Sequence, residues 1–308
     1  MEQSPAPNVQ KDAPPVSMGS VVWKRFRHHP GAIVGSVILG LLIASAILAP
    51  LSPYDAINST LSDAYQSPSL AHPMGTDALG RDLLTRVLYG GRISLAVGLL
   101  VVGISLTIGV PIGAAAGYYG GWLDNALMRL TDTFLSLPSF LVLILLSAIL
   151  REVDAPLFER SNVLTIGVVI GLFGWMTFAR LVRAAFLTLR ELDFVSAARA
   201  LGGRDLWIIV RHILPNAIGP IIVECTLELG YAIIEESGLS FLGFGIQPPT
   251  PSWGNLLGNA QEHFTKYPWL AIFPGLMIFL AIISVNYIGD GLRDAYDPYK
   301  MLEQVGER

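Results

Sequence analysis

Apolar residues in this chain are concentrated in six stretches, each long enough to cross a lipid bilayer as a helix. Because a helix rises about 1.5 Å per residue, a hydrocarbon core of about 30 Å requires roughly 20 residues. Strands of a membrane β-barrel would be about 10 residues long with alternating polarity, which these stretches do not show. The pattern predicts an all-α integral membrane protein with six transmembrane helices, over 32–51, 94–117, 133–150, 162–179, 217–239 and 269–289.

The composition agrees with a membrane location. The 308 residues are 52% hydrophobic and 14% charged, against about 25% charged residues in an ordinary soluble domain. The net charge of −4 does not indicate a nucleic-acid partner. The single cysteine, Cys225, excludes an internal disulfide and cannot form a metal site alone. We therefore expect the lipid bilayer to be the main environment of the chain.

Lysine and arginine are distributed unequally between the two sides of the predicted bilayer. The amino-terminal segment, the second–third loop, the fourth–fifth loop and the carboxyl terminus carry 14 of these residues, and the other loops carry 6. Loops rich in Lys and Arg tend to remain in the cytoplasm. Both termini and the 180–212 loop are therefore predicted to be cytoplasmic, and the 52–93 loop to lie outside.

The residues before the first span differ from the rest of the chain. Residues 1–20 contain four prolines together with Ser and Gln, which predicts a disordered cytoplasmic tail. Residues 21–30 combine basic and aromatic side chains, which predicts an amphipathic helix on the membrane surface. The six-span domain then occupies 31–308.

Glycines recur every four residues in two of the predicted spans. Gly109, Gly113 and Gly117 lie on one face of the second span, and Gly167 and Gly171 on one face of the fourth. Small residues at this spacing let helix backbones approach closely within a membrane. We favour packing within one subunit, and packing against a partner subunit is the alternative.

The 180–212 loop is charged and is too long for a simple turn between neighbouring helices. Its sequence predicts two short helices, one beginning at Phe194 after an Asp193 cap and ending at Gly202-Gly203. Asp205 is predicted to cap the second, from Leu206 to His212. A short helix with small side chains would suit docking to a partner, and an ordinary interfacial loop is the alternative.

The stretch SAARALGGRDLWIIVRHILPN (196–216) resembles the coupling-loop signature of the membrane subunits of ATP-binding-cassette (ABC) importers. That signature reads Glu-Ala-Ala, three residues, Gly, nine residues, Ile-x-Leu-Pro. Two positions depart from it, since Ser196 replaces the Glu and His212 replaces the Ile. The resemblance implies that an ATPase binds at this loop, through Ser196, Ala197, Ala198, Arg199, Gly202, Gly203, Leu214 and Pro215.

Three further segments are similar to the second permease subunit of dipeptide and oligopeptide importers: 72–95, 239–257 and 289–298. This resemblance implies an ABC type I importer permease fold in a bacterial inner membrane. The implied partners are a homologous permease, two ATPase subunits that bind ATP and Mg, and an extracytoplasmic peptide-binding protein. The chain itself has no Walker motif, so it is predicted to bind no cofactor and catalyse no reaction. Nickel and glutathione importers share the same pattern.

Acidic residues are concentrated in the fifth predicted span. At 100° per residue, Glu224, Glu228 and Glu235 form one narrow stripe, and Glu236 lies away from it. Carboxylates at membrane depth are costly and usually face a bundle interior or a wet cavity. We predict that the stripe lines the translocation pathway. The alternatives are pairing with basic residues of a partner subunit and protonation of the carboxylates.

Two other classes of membrane protein fit six spans less well. An intramembrane enzyme would need a constellation such as Ser with His, paired Asp or His-Glu-x-x-His, yet no Asp pair falls inside a span and all five histidines lie outside. An ion-driven transporter would predict inverted repeats, which the sequence does not show. His72 and His263 are isolated, so no metal site is predicted; the histidines are His28, His29, His72, His212 and His263.

Overall fold

The computed structural model describes residues 18–58, 61–152 and 163–297, so the predicted tail over 1–17 lies outside the described residues. These parts are mainly helical; the longest connection, between α2 and α3, contains two 3-10 turns and one antiparallel bridge between Thr76 and Asp82. The α-helices are α1 (Met18–Phe26), α2 (Pro30–Leu48), α3 (Leu83–Tyr119), α4 (Gly121–Leu135), α5 (Ser139–Glu152), α6 (Val163–Leu189), α7 (Asp193–Ala200), α8 (Asp205–Ile208), α9 (Leu214–Phe241), α10 (Trp253–Ala260) and α11 (Trp269–Tyr296).

Five helices in the described part of the chain are long and apolar enough to cross a membrane. They are α2 with the turn that follows it, α3, α6, the α8–α9 unit and α11. A sixth crossing is obtained only if α4 and α5, which are bent by 81° relative to each other, are counted as one span. This agrees with the predicted fold class of an all-α membrane protein.

Helix α3 begins at Leu83, eleven residues before the predicted second span. The sequence prediction stopped at the arginines that precede Ser94, because charged residues are unfavourable in a bilayer. In the structure Arg86 is fully buried and its Nη1 donates to the Ala56 carbonyl at 2.6 Å. The Asp82 side chain caps the helix by accepting from the Thr85 backbone N–H at 2.8 Å.

The predicted third span, 133–150, contains a bend. Its first residues belong to α4, and α5 starts only at Ser139, after the turn at Ser136-Leu137-Pro138. Proline disfavours helical geometry in the residue before it, which accounts for the end of α4 near this point. α4 is held against α6 by a bidentate ion pair, in which Arg183 Nε and Nη2 donate to Asp124 at 2.5 and 2.7 Å.

Helices α3 and α6 pack along their glycine faces, which decides between the two alternatives given above. A Cβ added at Gly109 would lie 2.6 Å from Phe178 Cβ, and one at Gly117 would lie 2.6 Å from Phe186 Cβ. On the other helix, a Cβ at Gly171 would lie 2.8 Å from Ile104 Cβ. These glycines therefore serve packing within this subunit.

Residues 190–213 form the coupling segment, which differs locally from its prediction. α6 extends to Leu189, and the helical run from Asp205 continues through a π-helical turn at Ile209–Ile213 into α9. The predicted caps are wrong: Leu192 and Arg204 occupy the N-cap positions, and neither makes a side-chain capping bond. Asp193 and Asp205 instead lie in the first turns, where a carboxylate favours the positive end of the helix dipole.

The two ends of the helix bundle differ in construction. The α7 end consists of the coupling segment with the ends of α3 and α6. The α10 end consists of the described residues of the 52–82 loop, which are 52–58 and 61–82, with the start of α3 and the 242–268 segment. Trp253, the first residue of α10, is buried against α3, and its Nε1 donates to the Val87 carbonyl at 3.0 Å. His72 Nδ1 lies 2.9 Å from Asp82 Oδ1, which holds the 52–82 loop at the start of α3.

Candidate coupling surface and membrane carboxylates

Helix α7 presents one face to solvent and one face to its own chain. Ser196, Ala197 and Arg199 are exposed, whereas Val195 and Ala198 are buried in a cluster with residues of α3, α6 and α9. Ala198 is only 6% exposed, so its small side chain serves packing inside the subunit. Ala197 is the alanine of the signature that remains available to a partner.

The turn after α7 requires glycine. Gly202 has a φ of +83°, in the left-handed region that side chains disfavour. The Gly203 N–H donates to the Ala198 carbonyl at 3.0 Å, and a Cβ at Gly203 would lie 2.9 Å from that oxygen. The two glycines therefore close α7 and set the direction of the chain into α8.

Large apolar side chains surround this turn and are open to solvent. Leu201 is 89% exposed, Leu206 is 71% exposed and Trp207 is 51% exposed. The predicted set of ATPase-binding residues did not include these three, although apolar residues placed among charges in a polar loop are a usable signal. A contiguous exposed apolar patch on a polar segment indicates an interaction site. We call Ala197, Leu201, Leu206 and Trp207 the coupling surface.

A π-helical turn joins the coupling surface to the membrane. Pro215 has no backbone N–H to donate to the carbonyl four residues earlier, and its ring clashes with that carbonyl in a regular α-helix. The preceding turn widens, and the Leu214 N–H bonds to the Ile209 carbonyl five residues earlier. Asn216 Nδ2 donates to the His212 carbonyl at 2.6 Å. Leu214 and Pro215 thus lie at the junction with α9, away from the turn at Gly202.

The three carboxylates of the predicted stripe on α9 lie in two different environments in the structure. Glu228 is 7% exposed, and Ser105 of α3 donates to its Oε1 at 3.2 Å. Gly174 of α6 lies against this carboxylate, and a Cβ there would clash with Oε1. Glu228 therefore faces the contact between three helices of its own chain.

Glu224 and Glu235 occupy a different position from Glu228. Both are half-buried, and among the described residues neither has a hydrogen-bond or ion-pair partner. They lie beside an exposed face of α9 that carries Tyr231, which is 63% exposed, and Ile234, which is 47% exposed. These two carboxylates are therefore available to a ligand or a partner subunit.

The structure adds one carboxylate that the stripe excluded. Glu236 is completely buried and accepts hydrogen bonds from Ser94 of α3 at 2.8 Å and from Ser240 at 2.7 Å. Its angular position on the helix separates Glu236 from the predicted stripe. No local pattern pairs Glu236 with Ser94, which lies 142 residues earlier in the chain.

The family of the chain follows from comparison with known proteins. Residues 109–300 match the family model described as "Binding-protein-dependent transport system inner membrane component". Residues 17–68 match the "N-terminal TM domain of oligopeptide transport permease C". The chain belongs to this family of importer permeases. The predicted resemblance to an ABC importer permease is thereby confirmed.

Relatives of the permease align over nearly their whole length. It is 42% identical over 298 residues to the dipeptide transport system permease protein DppC of Alkalihalophilus pseudofirmus, covering 96% of this chain and 94% of the relative. It is 41% identical over 278 residues to the glutathione transport system permease protein GsiD of Pectobacterium atrosepticum, covering 90% and 89%.

A solved structure shows the same fold. The permease superposes on a chain of the MetNI methionine ABC transporter in an inward-facing conformation, with a TM-score of 0.56 and 17% identity. The match covers 69% of this permease and 96% of that chain. The predicted ABC importer permease fold is confirmed at this level.

The permease family consists of transport subunits that are not themselves enzymes. Within residues 18–58, 61–152 and 163–297 the permease has no group of three or more His, Cys, Asp or Glu side chains arranged to hold a metal ion.

Proposed function

We propose that the permease forms half of a peptide translocation pathway and couples it to ATP hydrolysis by two partner ATPase subunits. A homologous second permease would form the other half, and an extracytoplasmic binding protein would deliver the peptide. The observation that carries the proposal is the coupling surface, because its exposed leucines and tryptophan coincide with the signature of an ATPase-binding loop. ATP and Mg would be bound by the ATPases alone.

The proposed location is a bacterial inner membrane with both termini and the coupling surface in the cytoplasm. The distribution of Lys and Arg supports this orientation. The exposed tryptophan and basic residues of α1 support an interfacial position for that helix, since Trp23 is 58% exposed and the Arg27 guanidinium lies 6.0 Å from its ring. Such a helix binds anionic lipid through its charges and the membrane interface through its aromatic rings.

The proposed mechanism is a transfer of movement from ATPase to membrane helices. Closure of the ATPase pair on ATP would displace α7, which the Gly202-Gly203 turn holds at a fixed angle. The displacement would reach α9 through the continuous α8–π–α9 unit, and would favour an outward-facing pathway. Coupling of this kind requires that each ligand interact differently with the two states.

The substrate class is proposed from the relatives and from the two available carboxylates. Relatives carry the names of dipeptide and glutathione permeases. Glu224 and Glu235 would attract a free amino terminus or basic side chain in the pathway. A dipeptide or oligopeptide with net positive or zero charge is therefore favoured over glutathione, whose net charge is negative. Nickel import is the remaining candidate of the predicted set, and the structure offers no observation that favours it.

A Glu224→Gln/Glu235→Gln permease is expected to lose its preference for cationic peptides. Two unit charges a few ångströms apart at the edge of a protein interact by about 1–4 kcal/mol, and 1.4 kcal/mol corresponds to tenfold in affinity. Because losing about 1.4 kcal/mol lowers affinity tenfold, uptake of a lysine-containing dipeptide should fall about tenfold relative to uptake of a neutral dipeptide. The measurement is competitive uptake of the two labelled dipeptides into proteoliposomes.

The buried Glu228 provides the control for that prediction. Glu228→Gln retains the hydrogen bond from Ser105 and removes a charge that faces the chain's own helices. It should leave the ratio of the two uptake rates unchanged. An unchanged ratio in the double variant as well would remove the pathway role of Glu224 and Glu235.

Reconstitution tests the proposed function as a whole. The permease, its homologous partner and the ATPases are incorporated into liposomes whose interior corresponds to the cytoplasm. ATP is enclosed in the liposomes, the binding protein is added outside, and peptide uptake is measured. Uptake should require ATP hydrolysis and the binding protein. Uptake that proceeds without the ATPases and follows an ion gradient would contradict the proposal in favour of a secondary transporter.

A further inference from the structure

The end of α3 lies directly against the coupling segment. Tyr118, the penultimate residue of α3, is 7% exposed, and its hydroxyl donates to Asp205 Oδ1 at 2.7 Å. Asp205 is the first residue of the helical run that continues into α9. A single hydrogen bond thus joins the ends of two membrane-crossing helices at the position where the coupling segment enters α9.

Two arginines of the coupling segment converge on the same place. The Arg199 guanidinium, at the end of α7, lies 5.8 Å from the centre of the Tyr118 ring, and its contact with the Tyr118 hydroxyl raises the pKa of Arg199 above its ordinary value. Arg190, just after α6, donates from Nη1 to the Gly117 carbonyl at 2.8 Å and to the Tyr118 carbonyl at 3.3 Å. Both carbonyls belong to the last turn of α3, which carries the negative end of the helix dipole.

Tyr118 belongs to an apolar cluster that also contains residues of α6, α7 and α9. Its ring packs in the same apolar cluster as Phe186 of α6, Val195 and Ala198 of α7, and Ile213 before α9. A charge-assisted hydrogen bond is strong and directional, whereas apolar contacts permit sliding. Movement of α8 relative to α3 must therefore either pull Tyr118 along or break its bond to Asp205.

We propose that Tyr118 is a positioning residue that transmits the displacement of the coupling segment to α3. This inference rests on the proposed function, and it adds a second route to the α8–π–α9 route described above. Because α3 packs along the whole of α6 through its glycine face, a pull on Tyr118 moves two membrane helices together. Asp205 holds the hydroxyl of Tyr118, and Arg199 lies against its ring. Movement of the coupling segment in either direction is therefore transmitted to α3.

The test is the ratio of peptides imported to ATP molecules hydrolysed in proteoliposomes containing the complete complex. Tyr118→Phe removes the hydroxyl and keeps the buried ring, so the complex should assemble and hydrolyse ATP. The ratio should fall about tenfold, the change that corresponds to losing one hydrogen bond to a charged group. Asp205→Ala should give the same fall, and the double variant should fall no further, because both substitutions break one bond.

Tyr119→Phe is the matched control. Tyr119 is the neighbouring tyrosine, is 55% exposed, and among the described residues its hydroxyl has no hydrogen-bond partner. Its substitution should leave the ratio unchanged. A wild-type ratio in Tyr118→Phe would overturn the inference, and so would a parallel loss of assembly, ATPase activity and uptake, which indicates a purely structural role. Failure of the unmodified complex to import with ATP would instead remove the proposed function itself.

Discussion

A permease carrying Gly113→Val is expected to be nearly absent from the membrane as folded protein. Gly113 lies where α3 packs tightly against α6, and an added Cβ there would clash with the Ala179 carbonyl and lie 2.8 Å from Val182 Cβ. Backbone atoms cannot move aside as a flexible side chain can, so the two helices must separate. Overpacking of this kind costs about 1–3 kcal/mol for a single added group, and valine adds three carbon atoms.

The same helix supplies the control for this prediction. Apart from the backbone of its own helix, nothing in the described part of the chain lies within 4 Å of the position that a Cβ at Gly103 would occupy. Gly103→Val should therefore accumulate at a level close to that of the unmodified permease, and its melting temperature in detergent should be similar. Equal accumulation and equal melting temperatures for the two variants would contradict the packing described for α3 and α6.

A Leu201→Asp/Leu206→Asp permease is expected to fold normally and lose its ATPase partner. Both side chains are exposed in the isolated chain, so the substitutions leave the core unchanged. In the complex the two leucine side chains of the unmodified permease would be buried against the ATPase, and burying a leucine contributes about 1.5–3 kcal/mol. Two such losses correspond to a weakening of at least a hundredfold, which should abolish ATP-dependent uptake.

Leu70 provides the matched control at the opposite end of the bundle. It is fully exposed in the 52–82 loop, far along the chain from the coupling segment. Leu70→Asp should leave copurification of the ATPase unchanged. Retention of the ATPase by the Leu201→Asp/Leu206→Asp variant, measured by copurification at equal permease levels, would show that the coupling surface is elsewhere.

The fold was predictable from the sequence where a single periodic signal decided the structure. Apolar length alone identified the regions of α2, α3, α6, α9 and α11, and glycine spacing identified the face on which α3 meets α6. The start of α3 was not predictable in this way. Arg86 is a residue unsuited to a membrane helix, and its distant partners, the Ala56 carbonyl and the Asp77 carboxylate, explain why the helix includes it.

The candidate site was also predictable from the sequence only in part. The glycine turn at 202–203 followed from the residues themselves, because only glycine adopts a φ near +83° without strain. The direction of Ala198 into the core and the bond from Tyr118 to Asp205, 87 residues later in the chain, depend on how the coupling segment packs against α3. Asp205 was expected to cap a helix for the local reason that aspartate often does so, and the tertiary contact determined its role instead.

Crosslinking from the coupling surface tests the central proposal most directly. Cys225 is the only cysteine in the chain and is half-buried within α9, so Leu201→Cys introduces one reactive thiol at the proposed contact. In the assembled importer, a short thiol-specific crosslinker should join Leu201→Cys to an ATPase subunit, and the yield should change when ATP binds. A yield no higher than that of Leu70→Cys, with or without ATP, would contradict the account.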